Sequence, residues 1–329
     1  MATTAGSTSV PTLAEAPRSF TERLAGRFLR IDPRETGFAV RGFAQCPPWV
    51  RRELERHGAS FVDGFNAGIA TAGRDGLVAR LEEVEQAERG FAYEGAAMAL
   101  ALLDLTLPGR PRRLRAFFET RASEHVYMVH VGAGWALARL RRRPWASLPL
   151  DPLFRWLALD GYGFHEAFFH PHRVVRCRRV PRRLDPPARR VFDQGVGRAL
   201  WFADAATPDR IAATIGAFDA ERRPDLWSGV GLAAAYAGAI ETSGMERLLA
   251  LAEPFELHLG QGVVFAAKAR LRAGNLVPHT ERAAGVICGL SAHAAAAIAE
   301  DALAVVRRDG TGESYERWRG EIRRRLERR

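Results

Sequence analysis

The sequence predicts an all-α protein: an array of antiparallel helical hairpins with a period of about 34 residues, either open as an α-solenoid or closed into a compact helical domain. Three observations carry this expectation. Glycine-anchored apolar stretches recur along the chain, amphipathic stretches of helical period lie between them, and β-type alternation is scarce. With 329 residues, 47% hydrophobic and 26% charged, the chain is long enough to bury a large core.

In chain order, residues 1–18 are small and polar and read as a disordered segment, without the apolar core of a signal peptide. SFTERLAGRFLRI (19–31) follows with Phe20, Leu24, Phe28 and Leu29 at helical spacing, and Pro33 marks its end. Pro47–Pro48 open a helix expected to reach about His57; Gly58 breaks it, and a second helix runs through Phe65. The recurrence begins with FVDGFNAGIATA (61–72) and returns in seven later stretches. Their anchors are Gly64, Gly95, Gly132, Gly161, Gly195, Gly229, Gly260 and Gly289, at intervals of 31, 37, 29, 34, 34, 31 and 29 residues. In most copies a second small residue three or four places on, such as Gly68 or Ala233, suggests one face shaped for close helix contact.

Between the anchors lie ordinary amphipathic helices. DGLVARLEEVEQAERG (75–90) puts Leu77, Leu81 and Val84 on one face. TPDRIAATIGAF opens with Thr207 as cap and Pro208 at the first helical position, and Ser243 with Glu246 has capping-box spacing. FELHLG (255–260) is the best strand candidate. The helical-repeat domain is expected over 19–306, with a possible sub-boundary at the Pro/Arg-rich stretch 173–190; 307–329 forms an arginine-rich C-terminal helix.

Charge narrows the partners. Of 48 basic residues only Lys268 is a lysine, against 38 acidic residues, for a net charge of +10. The arginine runs at 139–143, 173–183 and 317–329 are not interleaved with aromatics, and no DNA- or RNA-binding motif occurs, so nucleic acid is not expected as a partner. The uncharged run 283–299 is diluted by alanine, glycine and His293 and reads as a buried helix rather than a membrane span. Three scattered cysteines, Cys46, Cys177 and Cys288, point to a reducing cytoplasm.

Candidate chemistry centres on HEAFFHPH. On a helix Glu166 and His170 share a face, the spacing of two metal ligands, while His165 and His170 also suit acid–base work or helix capping. The spacing is not HExxH, and no metal is assigned. His130 stands one turn before Gly134, where an absent side chain leaves room for a ligand, a water or a close helix. Glu94 opens a long apolar run, either at a helix start or buried with a partner. Helices lining one inner surface would gather Glu94, His130, His165, Asp193 and Trp227 around a cavity suited to a long apolar or polyunsaturated ligand. The GVG stretches at 195–197 and 229–231 lack the GxGxxG frame and a preceding strand. Cofactors stay open, haem and non-haem metals included.

FAVRGF (38–43), GFAYEGAAMALALLD (90–104), HVYMVHVGAGWALARL (125–140), DGYGFHEAFF (160–169), FDQGVGRALWF (192–202) and DLWSGVGLAAAYAG (225–238) resemble, in order, the DUF1702 family. The resemblance covers about 30–290. It implies a companion of enediyne polyketide biosynthesis, encoded beside the synthase and thioesterase that make a linear polyene precursor. It supplies no catalytic residues. Two functions follow as expectations: a protein assisting conversion of the polyene to the enediyne core, with His130, His165, Glu166, His170 and Glu94 as its chemical groups, or a non-catalytic helical-repeat adaptor or ligand carrier that scaffolds other pathway proteins. Convergence of those histidines and Glu94 on a closed apolar pocket would support the first, and an open groove with the histidines scattered over the outside would sink it.

Overall fold

The computed structural model describes residues 29–71, 73–107, 113–141 and 148–328, so the expected disordered segment and most of the amphipathic stretch 19–31 lie outside the described residues. Helices account for all regular structure among the described residues. After a short turn α1 (Phe38–Arg41) come α2 (Pro48–Ala70), α3 (Arg74–Glu82), α4 (Arg89–Thr106), α5 (Arg113–Phe118), α6 (Val126–Arg139) and α7 (Leu157–Phe169). The second half holds α8 (Pro186–Ala203), α9 (Pro208–Gly216), α10 (Arg223–Ala237), α11 (Thr242–Leu251), α12 (Glu256–Arg272), α13 (Pro278–Cys288), α14 (Ala292–Ala304) and α15 (Gly312–Glu327).

Seven of these, α2, α4, α6, α7, α8, α10 and α12, form an inner layer in which each packs on the next. They all run the same way. Gly64 faces Ala92 while Gly68 faces Ala96 and Ala99; Arg190 meets Asp225, Gln194 meets Ser228, and Trp201 meets Gly238. α4 and α6 are buried all round, every residue from Gly90 to Asp104 and from Val126 to Ala138, whereas α2 at the start of the layer keeps Arg51, Arg52, Arg56 and Asp63 exposed. The returning helices α3, α9 and α11 bury only a stripe, Leu77 and Leu81, Ile211 and Ile215, Met245 and Leu248. The fold is all-α, as the recurrence predicts, with returning helices between α2 and α4, α8 and α10, and α10 and α12, while among the described residues α6, α7 and α8 follow one another without one.

The glycines work differently from the expected spacing. At Gly132, Gly161, Gly195 and Gly229 a second glycine stands two residues on, about 200° around the helix, so one glycine meets the preceding inner helix and the other the next. A Cβ on Gly195 would lie 1.9 Å from the Asp160 carbonyl oxygen, and one on Gly197 would lie 2.0 Å from that of Leu226. Gly161 and Gly163, and Gly229 and Gly231, repeat the arrangement with contacts of 1.9–2.0 Å. No side chain can occupy such a gap. Four anchors depart from this arrangement. Gly64 and Gly95 have Asn66 and Ala97 two residues on. In α12 the counterpart is Gly262 rather than Gly260, and Gly289 ends α13 in the left-handed region at φ +65°.

The array curls until its ends meet. His57 Nε2 donates to the Ala237 carbonyl at 2.8 Å, Phe91 packs edge-on to Tyr236 at 5.2 Å, and Arg270 donates to the carbonyls of Tyr236 and Ala87. α15 then packs back on the array: Trp318 contacts Phe154 and Phe265, and fully buried Arg319 pairs with Asp225 at 2.7 Å.

Several local expectations are corrected. α2 is continuous through Gly58, whose missing side chain accommodates Thr36 rather than a break. FELHLG begins α12 and is no strand, because the inner layer needs a helix there. Thr207 and Pro208 do start α9, but Ser243 lies inside the first turn of α11, capped at Glu241. The uncharged run 283–299 is split into two helices bent by 72°, and no single helix among the described residues is long and apolar enough to cross a membrane.

Candidate ligand cavity

Where α2, α4, α6, α7 and α8 face inward, they line a cavity of about 60 Å³. Its walls are aromatic. Trp135 lies 4.4 Å from Phe61 and 5.0 Å from Phe164, and Phe164 lies 5.5 Å from Phe202, between ring centroids. Residues 31–43 cross the mouth, with Phe38 and Phe43 turned in and Phe43 edge-on to Phe168 at 4.9 Å. Asn66 pins both backbone groups of Ile31, Glu55 accepts from the Phe38 amide, and the Ala203 carbonyl accepts from Ala44. Gly42, at φ +67°, makes the turn that brings Phe43 back toward Phe38.

Glu94 is the carboxyl buried in this apolar wall. It accepts from the Trp135 indole at 3.0 Å and lies 3.9 Å from Arg198. Burial pushes its pKa up to about 7 against the pull of Arg198, and the neighbouring Asp160 charge adds to the rise. Arg198 is held by Asp160 and stacks over Phe164 at 5.1 Å. Burial works against its charge, but Asp160 and Glu94 outweigh that, and its pKa is raised.

Behind Arg198 a polar file crosses the core. Gln194 donates to Asp160 at 2.8 Å, Ser228 donates to Gln194 at 3.2 Å, Gln261 donates to Ser228 at 2.9 Å, and Arg323 of α15 donates to Gln261. Sequence reasoning missed all of these residues. The signal was present: Glu94, Asp160, Gln194, Ser228 and Gln261 each stand immediately before a glycine that meets the preceding inner helix. That position points to the centre of the array on every inner helix.

The predicted site divides. Of its residues only Glu94 lines the cavity. His130 is buried elsewhere, between Phe118 and Phe154; its Nδ1 donates to the Val126 carbonyl at 2.7 Å and its Nε2 accepts from the Asp151 amide at 3.1 Å. The gap at Gly134 is filled by the Ala158 carbonyl, not by a ligand. His165 lies behind the wall, edge-on to Trp135 at 5.7 Å, and burial pushes its pKa down to about 3. Its Nδ1 is buried without a hydrogen-bond partner. Glu166 faces away from the aromatic cavity and pairs with Arg173, and its other carboxylate oxygen lies 3.5 Å from His165 Nδ1, too poorly aligned for a hydrogen bond. His170, just past the helix end, is exposed, so the expected shared face of Glu166 and His170 stops one residue short. Asp193 forms a two-pronged pair with Arg222, and Trp227 is buried away from the cavity.

The imidazole that does reach the cavity is His57, stacked on Phe91 at 4.5 Å, and both its nitrogens are engaged, by Glu88 at 2.8 Å and by Ala237. Among the described residues no group of three or more His, Cys, Asp or Glu side chains is placed to hold a metal ion.

A curled all-α array around an aromatic-lined cavity with one buried carboxyl is thus the class that fold and site define. The chain belongs to the family described as "Protein of unknown function (DUF1702)", whose model matches residues 20–326. No curated protein and no solved structure matches it.

Proposed function

We propose that the chain takes an apolar, chain-like molecule into the aromatic cavity, where Glu94 hydrogen-bonds to it or exchanges a proton with it. Given the enediyne setting that the family resemblance implies, the fitting ligand is the linear polyene precursor, and the protein assists its conversion to the enediyne core. The observation that carries the reading is a buried carboxyl, its pKa pushed up to about 7, in a largely apolar wall rich in aromatic rings, with Arg198 beside it. Such a group holds its proton for part of the time at neutral pH, as an acid–base group must. The volume as built suits several waters or a few carbons, so a longer chain is admitted by displacing residues 31–43 from the mouth.

The adaptor alternative needs an open concave face, whereas this interior is filled by side chains. The test is titration of the purified chain with a linear conjugated polyene, followed by tryptophan fluorescence. Saturable quenching is expected, abolished by Met98→Trp, which fills the cavity. Quenching that persists in a folded Met98→Trp protein would overturn the proposal.

A further inference from the structure

Two arginine runs that are far apart in sequence meet around a second cavity, on the face of α7 opposite the aromatic one. Arg141 comes from one run and Arg173, Arg179, Arg182 and Arg183 from the other, and together they line a space of about 700 Å³. Glu166 is the carboxylate in this lining, and Arg173 already occupies it. No carboxylate among the described residues lies within ion-pair distance of Arg141, Arg179, Arg182 or Arg183. Arg183 instead donates to the Arg141 carbonyl at 3.1 Å and the Tyr162 hydroxyl at 3.0 Å, which joins the two runs across the cavity.

Some other arginines are answered locally, Arg317 by Glu313, Arg324 and Arg325 by Glu321, and Arg247 by Asp209; what sets this lining apart is that five arginines share one concavity with a single carboxylate. Five guanidinium groups facing one carboxylate in a concave site repel one another, and the concavity concentrates their field. Both runs also turn sharply at the rim, with Arg141 at φ 51° and Arg178 at φ 52°, a backbone conformation that costs energy in a residue other than glycine. An anion with several charges relieves the repulsion. The planar fork of a guanidinium matches phosphoryl oxygens two at a time.

We infer that this arginine-lined cavity is a binding site for a multiply charged phosphoryl group, of the pyrophosphate class, carried on a small molecule. The cavity has room for more than the anion itself, so the group is expected to be part of a phosphorylated compound. This inference stands apart from the aromatic cavity and its ligand.

Isothermal titration of the full chain with inorganic pyrophosphate, and in parallel with inorganic phosphate and acetate, tests it. Pyrophosphate is expected to bind one-to-one, more tightly than phosphate, while acetate gives no saturable heat. The double change Arg179→Gln, Arg182→Gln is expected to weaken pyrophosphate roughly tenfold or more, by the loss of two charge-assisted forks. Arg80→Gln, on the exposed face of α3, is expected to leave it unchanged, and both variants are checked for folding by circular dichroism. No saturable pyrophosphate binding, or equal weakening by Arg80→Gln, would overturn the assignment. So would double-stranded DNA that binds more tightly than pyrophosphate and is lost in the double variant, because the cavity would then belong to a polyanion surface.

Discussion

The indole N–H of Trp135 donates to the Glu94 carboxylate at 3.0 Å across 41 residues of sequence. That bond ties the second inner helix to the third inside an apolar wall. It also sets the carboxyl where burial, rather than any cation, dominates its proton affinity.

The titration of Glu94 is expected to appear in stability. Its folded pKa, about 7, is raised above the ordinary carboxylate value, so its contribution is full below that ordinary value and is lost as pH rises through about 7. Glu94→Gln removes the dependence. Between about pH 5 and about pH 8 the wild type should lose on the order of 3 kcal/mol relative to the variant. Urea unfolding at both pH values measures this, and a difference that ignores pH counts against the buried carboxyl.

Glycine substitutions should separate by contact rather than by helix position. Gly197→Ala drives a methyl into the Leu226 carbonyl and is expected to cost about 3 kcal/mol or more, since backbone cannot step aside as a side chain can. Gly285→Ala, with nothing within 4 Å of the new methyl, should gain about 0.5–1 kcal/mol from helix propensity. Chemical denaturation of the two variants decides. Similar losses from both would mean that the close approaches are not what holds the inner layer.

Acid should unfold the protein through its histidines. Burial pushes His125, His130 and His279 down to about 4, and His165 and His258 down to about 3. A depressed imidazole contributes stability above its ordinary pKa, and that contribution is lost as pH falls toward the folded value. Glu94 and Asp193, both raised, act in the opposite sense but are fewer. Melting temperature is therefore expected to fall between about pH 6.5 and about pH 4, less steeply in His130→Gln. Because both nitrogens of His130 serve the fold, that variant should keep its affinity for a cavity ligand.

The C-terminal helix should be held by one buried pair. Asp225→Asn leaves the fully buried Arg319 with only Glu316 as its ionic partner, at an expected cost of about 3 kcal/mol. Limited proteolysis should then cut ahead of α15 sooner than in the wild type. An unchanged rate would show that Trp318 and its apolar neighbours hold the helix without the ion pair.

Much of the fold was legible because the pressures behind it are local. A glycine that lets two backbones touch must recur once per inner helix, so Gly95, Gly132, Gly161, Gly195 and Gly229 mark those helices in the sequence. Amphipathic stripes such as Ile211 and Ile215 mark the returning ones. The site was legible only at Glu94, a carboxyl in an apolar run that had to lie either at a helix start or buried with a partner. His130, His165, Glu166 and His170 drew notice by residue type, yet which way each imidazole or carboxylate faces depends on helix rotation within the array.

The sequence by itself determined an all-helical chain, its repeat spacing and its family, and singled out Glu94 without deciding whether it is buried. Tertiary structure decided the rest: that the array curls until His57 reaches Ala237, that Glu94 meets Trp135 and Arg198, and that two arginine runs share one cavity. The reason is physical. Helix formation and close packing leave periodic traces along the chain, whereas curvature is the sum of small rotations at every helix contact, and no single stretch of residues records that sum.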